Sequence, residues 1–199
     1  MKVICLSGGL DSAVVLLSEV RMMRRRWDGK TTADPFDLAL TFDYGQPRAG
    51  RREPPEVSAA TTMADRAGVP HEVITIEWGE YMPETGLLGG HVDSFADSVV
   101  PGRNVLFIAA AAMRGATSVT LGCNADDQAD FPDCRKEVLK AVGVACGIEV
   151  LLPMVEMTKA QIVELAKDCA LHIDDIVTCY RGTDCGECAS CRQLAACGA

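Results

Sequence analysis

Short apolar runs alternate along this chain with longer segments of helical pattern. The apolar runs predict strands over residues 3–6, 36–42, 73–76, 118–121 and 149–152. The helical patterns cover residues 13–25, 56–67, 104–113, 135–145 and 158–169. Strands and helices that alternate in this way predict an α/β fold of Rossmann-like type, in which a parallel sheet is covered by helices on both faces.

The loops that follow the predicted strands are the most polar parts of the chain, and they also carry Gly and Pro. They span residues 7–12, 43–46, 77–79, 122–135 and 153–159. In parallel sheets, ligands bind beyond the carboxyl ends of the strands, where such loops meet. We therefore expect these loops to form one composite site.

The first of these loops reads Ser7-Gly8-Gly9-Leu10-Asp11-Ser12 and leads directly into a helix. Glycines let the backbone approach a ligand closely, and the first N–H groups of a helix have no partner within it. These donors and the positive end of the helix dipole favour an anion. The loop lacks the Gly-Lys-Ser/Thr of the common P-loop. It predicts phosphate binding, with a tight turn capped by Ser7 or Asp11 as the alternative.

Four cysteines near the C-terminus have the spacing of metal ligands. Cys179, Cys185, Cys188 and Cys191 follow a C-x5-C-x2-C-x2-C pattern. Four thiolates can close a tetrahedral shell around Zn²⁺ and leave no position for water, so the zinc predicted here is structural. An iron–sulfur cluster also uses four cysteines and stays an alternative, as do unrelated free thiols.

The composition narrows the choice of partners and compartment. The 199 residues suffice for one nucleotide-binding α/β domain over 1–175 and a zinc-binding segment over 176–199 packed on it. A net charge of −9 argues against a nucleic-acid partner. No apolar run reaches the roughly 20 residues that span a membrane. Cysteines scattered through predicted strands and helices indicate a reduced, cytoplasmic compartment.

Four further residues are candidates for ligand contacts. Tyr44 and Gln46, after the second predicted strand, suit stacking on a base and hydrogen bonding to its edge, unless they only form a capped turn. Arg103 begins an apolar helix and offers a fork of donors to a phosphate or carboxylate, with a simple helix cap by Asn104 as the alternative. Lys159 begins the last predicted helix and can reach a phosphate or remain a surface lysine.

Residues 124–135 contain four aspartates. Their hard oxygen ligands suit Mg²⁺. The same carboxylates could instead be solvated loop charges or acceptors for an amino-purine edge.

Together these motifs resemble the 7-cyano-7-deazaguanine synthase family, known as QueC, of the PP-loop ATP pyrophosphatase superfamily. The matching stretches extend over essentially the whole chain, at residues 7–12, 42–46, 101–104, 132–135, 158–159, 179–180 and 185–191. The chain departs from the family after Gln46, where Pro47-Arg48 replaces Arg-His. The loop between Cys179 and Cys185 is also short.

The resemblance implies an adenine nucleotide alpha hydrolase-like fold. It also implies ATP-dependent conversion of 7-carboxy-7-deazaguanine and ammonia to 7-cyano-7-deazaguanine, through an activated carboxylate and an amide. ATP, Mg²⁺ and structural Zn²⁺ are the implied cofactors, and a homodimer is implied. The residues expected to bind ATP are Leu6, Ser7, Gly8, Gly9, Leu10, Asp11 and Ser12. The residues expected to act in catalysis are Asp11, Ser12, Arg103 and Lys159. The residues expected to contact the substrate are Tyr44, Gln46, Arg103, Asn104, Asp127, Phe131, Asp133 and Arg135.

Other functions stay open on the sequence alone. A divergent family member could stop at the amide or serve DNA modification. A PP-loop enzyme that adenylates transfer RNA for thiolation would need a nucleic-acid surface, which the acidic charge disfavours. A non-catalytic nucleotide-binding module would not need the intact loop motifs.

Overall fold

Five parallel strands form a sheet in the order β3-β2-β1-β4-β5. The computed structural model describes residues 1–26, 35–78, 81, 85–88 and 92–198, with the backbone alone for residues 24–26. The strands are β1 (Lys2–Cys5), β2 (Leu38–Asp43), β3 (His71–Thr75), β4 (Ser118–Thr120) and β5 (Glu149–Leu151). Each lies within a few residues of a predicted strand, so the parallel α/β fold is confirmed.

Seven α-helices accompany the described part of this sheet. The five predicted helices are present as α1 (Leu10–Arg26), α2 (Pro55–Ala67), α3 (Arg103–Met113), α5 (Lys136–Cys146) and α6 (Lys159–Asp168). Two short helices were not predicted, namely α4 (Ala125–Asp130) and α7 (Ala189–Ala196). Helix α4 buries none of its residues, so it has no hydrophobic stripe by which a sequence pattern would reveal it.

The two faces of β1 show how the sheet is covered. Side chains alternate along a strand, so Ile4 and Leu6 belong to one buried cluster, together with residues of α1, α2 and α6. Val3 and Cys5 belong to the other cluster, together with residues of α3 and α5. Helices therefore pack on both faces, as the alternation of elements predicted.

The strand order places a topological switch beside β1. The chain runs from β1 outward to β2 and β3, then returns to form β4 on the other side of β1. Crevices that bind ligands open where the strand order reverses in this way. The loops after β1 and β4 meet at that point, because a Cβ on Gly122 would lie only 2.8 Å from the backbone nitrogen of Ser12.

The cysteine segment (residues 176–199, described to residue 198) packs on the domain that precedes it. The N–H of Val177 donates to the carbonyl oxygen of Gly8 at 2.9 Å. Leu194 and Cys197 pack against the cluster on the α1 side of the sheet. The division at residue 175 stays a prediction. Within the described residues, no helix is both long and apolar enough to cross a membrane.

Candidate nucleotide and substrate site

The loop of residues 7–12, which we call the phosphate loop, is held by hydrogen bonds among its own residues. Ser12 Oγ accepts the N–H of Ser7 at 3.1 Å and lies 3.0 Å from Ser7 Oγ. Ser7 Oγ accepts the N–H of Gly9 at 3.3 Å, and Ser12 Oγ donates to the Gly9 carbonyl at 3.2 Å. The loop leads into the 17-residue helix α1, whose free N–H groups and dipole favour an anion.

Gly8 allows helix α2 to approach the phosphate loop. Its φ is +77°, and a Cβ at this position would lie 2.1 Å from the carbonyl oxygen of Glu56. Both the backbone conformation and the close approach require glycine here. Glu56, in the first turn of α2, is thereby placed next to the phosphate loop.

A lysine and two aspartates form a charged cluster at the start of α6. Lys159 Nζ lies 2.6 Å from Asp11 Oδ2, and the two side chains are only 12% and 21% exposed. Burial alone would lower the pKa of Lys159, but the carboxylates of Asp11 and Asp127 outweigh it and raise that pKa. Burial and the charge of Asp11 raise the pKa of Asp127 to about 6. Lys159 is therefore a buried cation facing the phosphate loop.

A cavity of about 210 Å³ opens beside these groups. Four of the five loops expected to converge contribute to its lining, which confirms that they meet at one place. The fifth, residues 77–79, runs beyond the described residues at position 79. The predicted site residues that line the cavity are Leu6, Ser7, Gly9, Leu10, Asp11, Ser12, Tyr44, Gln46, Arg103, Asn104, Asp127, Phe131 and Lys159.

Aromatic rings form much of the cavity wall. Tyr44 and Phe107 lie with ring centroids 5.8 Å apart, and Phe95 contacts Phe131 edge to face at 5.9 Å. Arg103 reaches the same wall, since its Nη1 donates to Tyr44 Oη at 3.1 Å. The cavity thus combines flat apolar surfaces with one half-buried guanidinium, an arrangement suited to an aromatic ligand that carries polar groups.

The remaining predicted substrate residues lie at the edge of this arrangement. Asp133 is buried, and its Oδ2 accepts the N–H of Asn104 at 2.9 Å. This carboxylate therefore caps helix α3, a role that the sequence assigned to Asn104 as an alternative. Arg135 is exposed. Asp133, Arg135 and Gly8 are described residues that fall outside the cavity lining.

Gln46 holds the turn after β2. Its Oε1 accepts the N–H of Tyr44 at 2.8 Å, and its Nε2 donates to the Phe42 carbonyl at 2.9 Å. Both ends of the amide are thus used to shape the turn that presents Tyr44. This matches the capped-turn alternative, and a direct substrate contact by Gln46 stays a prediction.

Glu56 is a site residue that the sequence did not reveal. It lines the cavity, and burial raises the pKa of its carboxyl group to about 7, although the nearby guanidinium of Arg103 opposes the shift. An acidic residue in the first turn of a helix is common at protein surfaces. Only the contact between α2 and the phosphate loop shows that this one faces the interior.

The four C-terminal cysteines converge in space. Their sulfur atoms all lie within 4.8 Å of one another, and Cys179 Sγ is 3.6 Å from Cys185 Sγ. The N–H of Cys188 donates to Cys185 Sγ, and the N–H of Cys185 donates to Cys179 Sγ. Burial opposes ionisation of Cys179, but such backbone N–H groups outweigh it and lower the pKa of this thiol to about 6. The convergence of the four sulfur atoms fits a metal ion.

The family model described as "Queuosine biosynthesis protein QueC" matches residues 1–197. The chain belongs to the QueC family. A curated 7-cyano-7-deazaguanine synthase from Acinetobacter baylyi is 31% identical to this QueC chain, and the match covers 96% of the chain and 86% of the relative. The synthase of the same name from Methanothermobacter thermautotrophicus is 31% identical, with 94% and 89% covered.

Solved structures share the fold of this QueC family member. NMN synthetase from Francisella tularensis aligns with a TM-score of 0.53 and 18% identity, over 87% of this chain and 63% of that protein. The U34-tRNA thiolase NcsA from Methanococcus maripaludis, solved with its [4Fe-4S] cluster, aligns with a TM-score of 0.53 and 15% identity, over 86% of this chain and 58% of that protein. The chain spans less than two thirds of each, and the likeness shows the fold alone.

Proposed function

We propose that this chain converts 7-carboxy-7-deazaguanine, ammonia and ATP into 7-cyano-7-deazaguanine, in the biosynthesis of queuosine. The observation that carries the proposal is the QueC family match over residues 1–197. The geometry supports it, since a phosphate loop and an aromatic-walled cavity adjoin each other as a nucleotide and a heteroaromatic acid require.

We assign the nucleotide phosphates to the phosphate loop. The anion would meet the N–H groups at the start of α1, with the hydroxyls of Ser7 and Ser12 beside them. Lys159 supplies a positive charge beside this loop, 2.6 Å from Asp11 Oδ2. These groups are fixed before the reaction, so they stabilise charge that develops on the α-phosphate without reorganising.

Asp11 and Asp127 would hold the Mg²⁺ that accompanies ATP. Asp11 Oδ1 is buried and has no hydrogen-bond partner among the described residues, and carboxylate oxygens are the ligands that Mg²⁺ prefers. When bound, the ion neutralises phosphate charge. This pair therefore fits a metal–nucleotide complex.

The chemistry requires two activations of one carbon. The substrate carboxylate attacks the α-phosphorus of ATP, which releases pyrophosphate and gives an acyl adenylate. Ammonia then displaces AMP to form the amide. A second ATP activates the amide oxygen in the same way, and loss of AMP with the amide protons leaves the nitrile. The chain supplies orientation and charge to these steps, chiefly through Arg103 and Lys159, and no covalent nucleophile is required.

We assign structural Zn²⁺ to Cys179, Cys185, Cys188 and Cys191. All four ligands are sulfur, so a tetrahedral shell is complete without water. The ion would hold the cysteine segment together beside the phosphate loop.

We further propose a homodimer located in the cytoplasm. Met113, at the end of α3, and Val144, on α5, are 88% and 83% exposed. These two helices pack against each other, so a second copy could cover both side chains. None of the ten cysteines forms a disulfide bond, which suits a reducing compartment. Size-exclusion chromatography with light scattering should give twice the chain mass.

Mass spectrometry of a complete reaction tests the proposed activity. Protein, ATP, Mg²⁺ and ammonium are incubated with 7-carboxy-7-deazaguanine, and a Ser12→Ala variant serves as the control. The expected product is the nitrile, with two AMP released for each nitrile formed. Accumulation of the amide would limit the activity to the first activation. An unchanged acid would refute the proposal.

A further inference from the structure

Besides Asp11 Oδ1, a second carboxylate oxygen in the cavity region has no hydrogen-bond partner among the described residues. Glu56 Oε2 is buried and has no hydrogen-bond partner among the described residues, while Glu56 itself lines the cavity. Buried carboxylate oxygens are costly to leave unpaired, so the great majority have a partner. A bound molecule that carries N–H donors would satisfy this one.

The fold holds Glu56 in this position through its backbone. The Glu56 carbonyl packs against Gly8 so closely that no side chain fits between them. Arg103 is near enough to influence the ionisation of Glu56, yet its Nη1 donates to Tyr44 Oη. The cavity therefore presents an acceptor on Glu56 in the neighbourhood of a donor on Arg103, between aromatic walls.

A guanine-type base matches this pair of groups. Its edge offers a ring N1–H and a 2-amino group, both donors, next to a carbonyl oxygen that accepts. Adenine offers an amino group beside an unprotonated ring nitrogen, which a carboxylate cannot pair. The acidic side chain thus distinguishes the substrate base from the adenine of ATP in the same cavity.

We propose that Glu56 selects the 2-amino-pyrimidinone ring of the substrate by accepting hydrogen bonds from its N1–H and 2-amino groups. This inference rests on the proposed function, because the substrate class comes from there. Since Oε2 is buried in the free protein, its contact with the ligand involves rotation about the terminal bonds of the side chain.

Binding measurements with two ligands test the assignment. The affinity of 7-carboxy-7-deazaguanine is compared by calorimetry, without ATP, with that of the analogue that lacks the 2-amino group. Above pH 7, where the Glu56 carboxyl group is ionised, the wild-type protein should bind the analogue roughly 10- to 100-fold more weakly, because one donor to a charged acceptor is lost. In Glu56→Gln, affinity for the full substrate should fall by a similar factor, and the preference over the analogue should shrink to about threefold or less.

Two further variants separate recognition from structure. Glu53→Gln makes the same chemical change three residues earlier, at an exposed position, and should bind both ligands like the wild type. Glu56→Asp keeps the carboxylate on a shorter side chain and should retain part of the preference for the 2-amino group. It provides the test if Glu56→Gln fails to fold by circular dichroism. In every variant, the KM for ATP should stay within about twofold of the wild-type value.

Other results would overturn the inference. If Glu56→Gln lowers the affinity for both ligands by the same factor, the residue only shapes the cavity. If it changes only the dependence of the rate on ammonium, Glu56 serves the amine and not the base. In both cases the wild-type protein still binds the acid and forms the nitrile, so the proposed function survives. A wild-type protein that neither binds nor converts the acid would refute the proposed function itself.

Discussion

The phosphate loop and the cysteine segment are both short and both contain glycine, but they are held in different ways. The phosphate loop lies between a central strand and a long helix. Hydrogen bonds join Ser7, Gly9 and Ser12 to one another. The described part of the cysteine segment contains one α-helix of eight residues and no strand, and its four thiols converge on a single point. The sheet thus organises the first region, whereas the second has no strand of its own among the described residues and converges on a site that fits a metal ion.

The largest effect is expected where the phosphate loop loses its cation. Lys159→Ala removes the positive charge 2.6 Å from Asp11 Oδ2 and leaves that carboxylate next to the nucleotide phosphates. We expect ATP-dependent turnover to fall by about 100-fold or more, while the fold is kept. Pyrophosphate release measures the loss. Lys136→Ala, which removes an exposed lysine paired with Glu156, should leave turnover unchanged, and equal losses in the two variants would contradict the assignment.

Loss of one thiolate should remove the metal from the cysteine segment and lower its stability. Cys188→Ser should reduce bound zinc from about one ion per chain and lower the melting temperature by several degrees, because metal binding contributes directly to folding. Cys197→Ser changes a cysteine outside the cluster and should keep the metal. Elemental analysis with thermal melts makes the comparison. Full zinc content in Cys188→Ser would rule out the four-cysteine shell.

The third effect concerns the contact between the phosphate loop and α2. Gly8→Ala combines a φ of +77° with a Cβ that would lie 2.1 Å from the Glu56 carbonyl oxygen. We expect the free energy of unfolding to fall by about 3 kcal/mol. Gly50→Ala has the same φ with open space around it, so it should cost only about 1 kcal/mol. Urea denaturation gives the difference, and equal losses would mean that the close approach carries no cost.

The smallest effect concerns the pH dependence of stability. Burial and the charge of Asp11 raise the pKa of Asp127 from its ordinary value of 3.8 to about 6. The protonated Asp127 carboxyl group therefore stabilises the folded state. This stabilisation is fully present below the pKa of the unfolded state and is lost as the pH rises through the pKa of the folded state. Asp127→Asn removes this titration and keeps an oxygen that can accept the N–H of Asn124. Between about pH 4 and pH 7, the wild type should lose about 2 kcal/mol relative to the variant.

Denaturation at several pH values measures this change. Asp130→Asn provides the control, because Asp130 is exposed on the same short helix. A wild type that gains stability relative to Asp127→Asn as the pH rises would reverse the sign and contradict the prediction.

The same contrast explains what the sequence could and could not predict. The strands and five of the helices were predictable because the spacing of apolar residues within each short segment already indicates its secondary structure. The convergence of Cys179 with Cys191 was predictable from the spacing of the cysteines. The approach of Lys159 to the phosphate loop was predictable from the rule that ligands bind at the carboxyl ends of strands. The capping of α3 by Asp133 was not predictable, since it joins residues 29 positions apart. The orientation of Glu56 was not predictable either, because it depends on how closely α2 approaches Gly8.

The hydrogen bond between Val177 and Gly8 joins the two regions that the comparison separates. Through this contact we expect the occupancy of one region to affect the affinity of the other for its ligand. If metal in the cysteine segment tightens nucleotide binding by some factor, nucleotide must tighten the retention of metal by the same factor. Saturating ATP should then raise the affinity for metal, measured by equilibrium competition with a chelator. The ratio of the metal affinities with and without ATP gives the coupling between the end of the chain and its first loop.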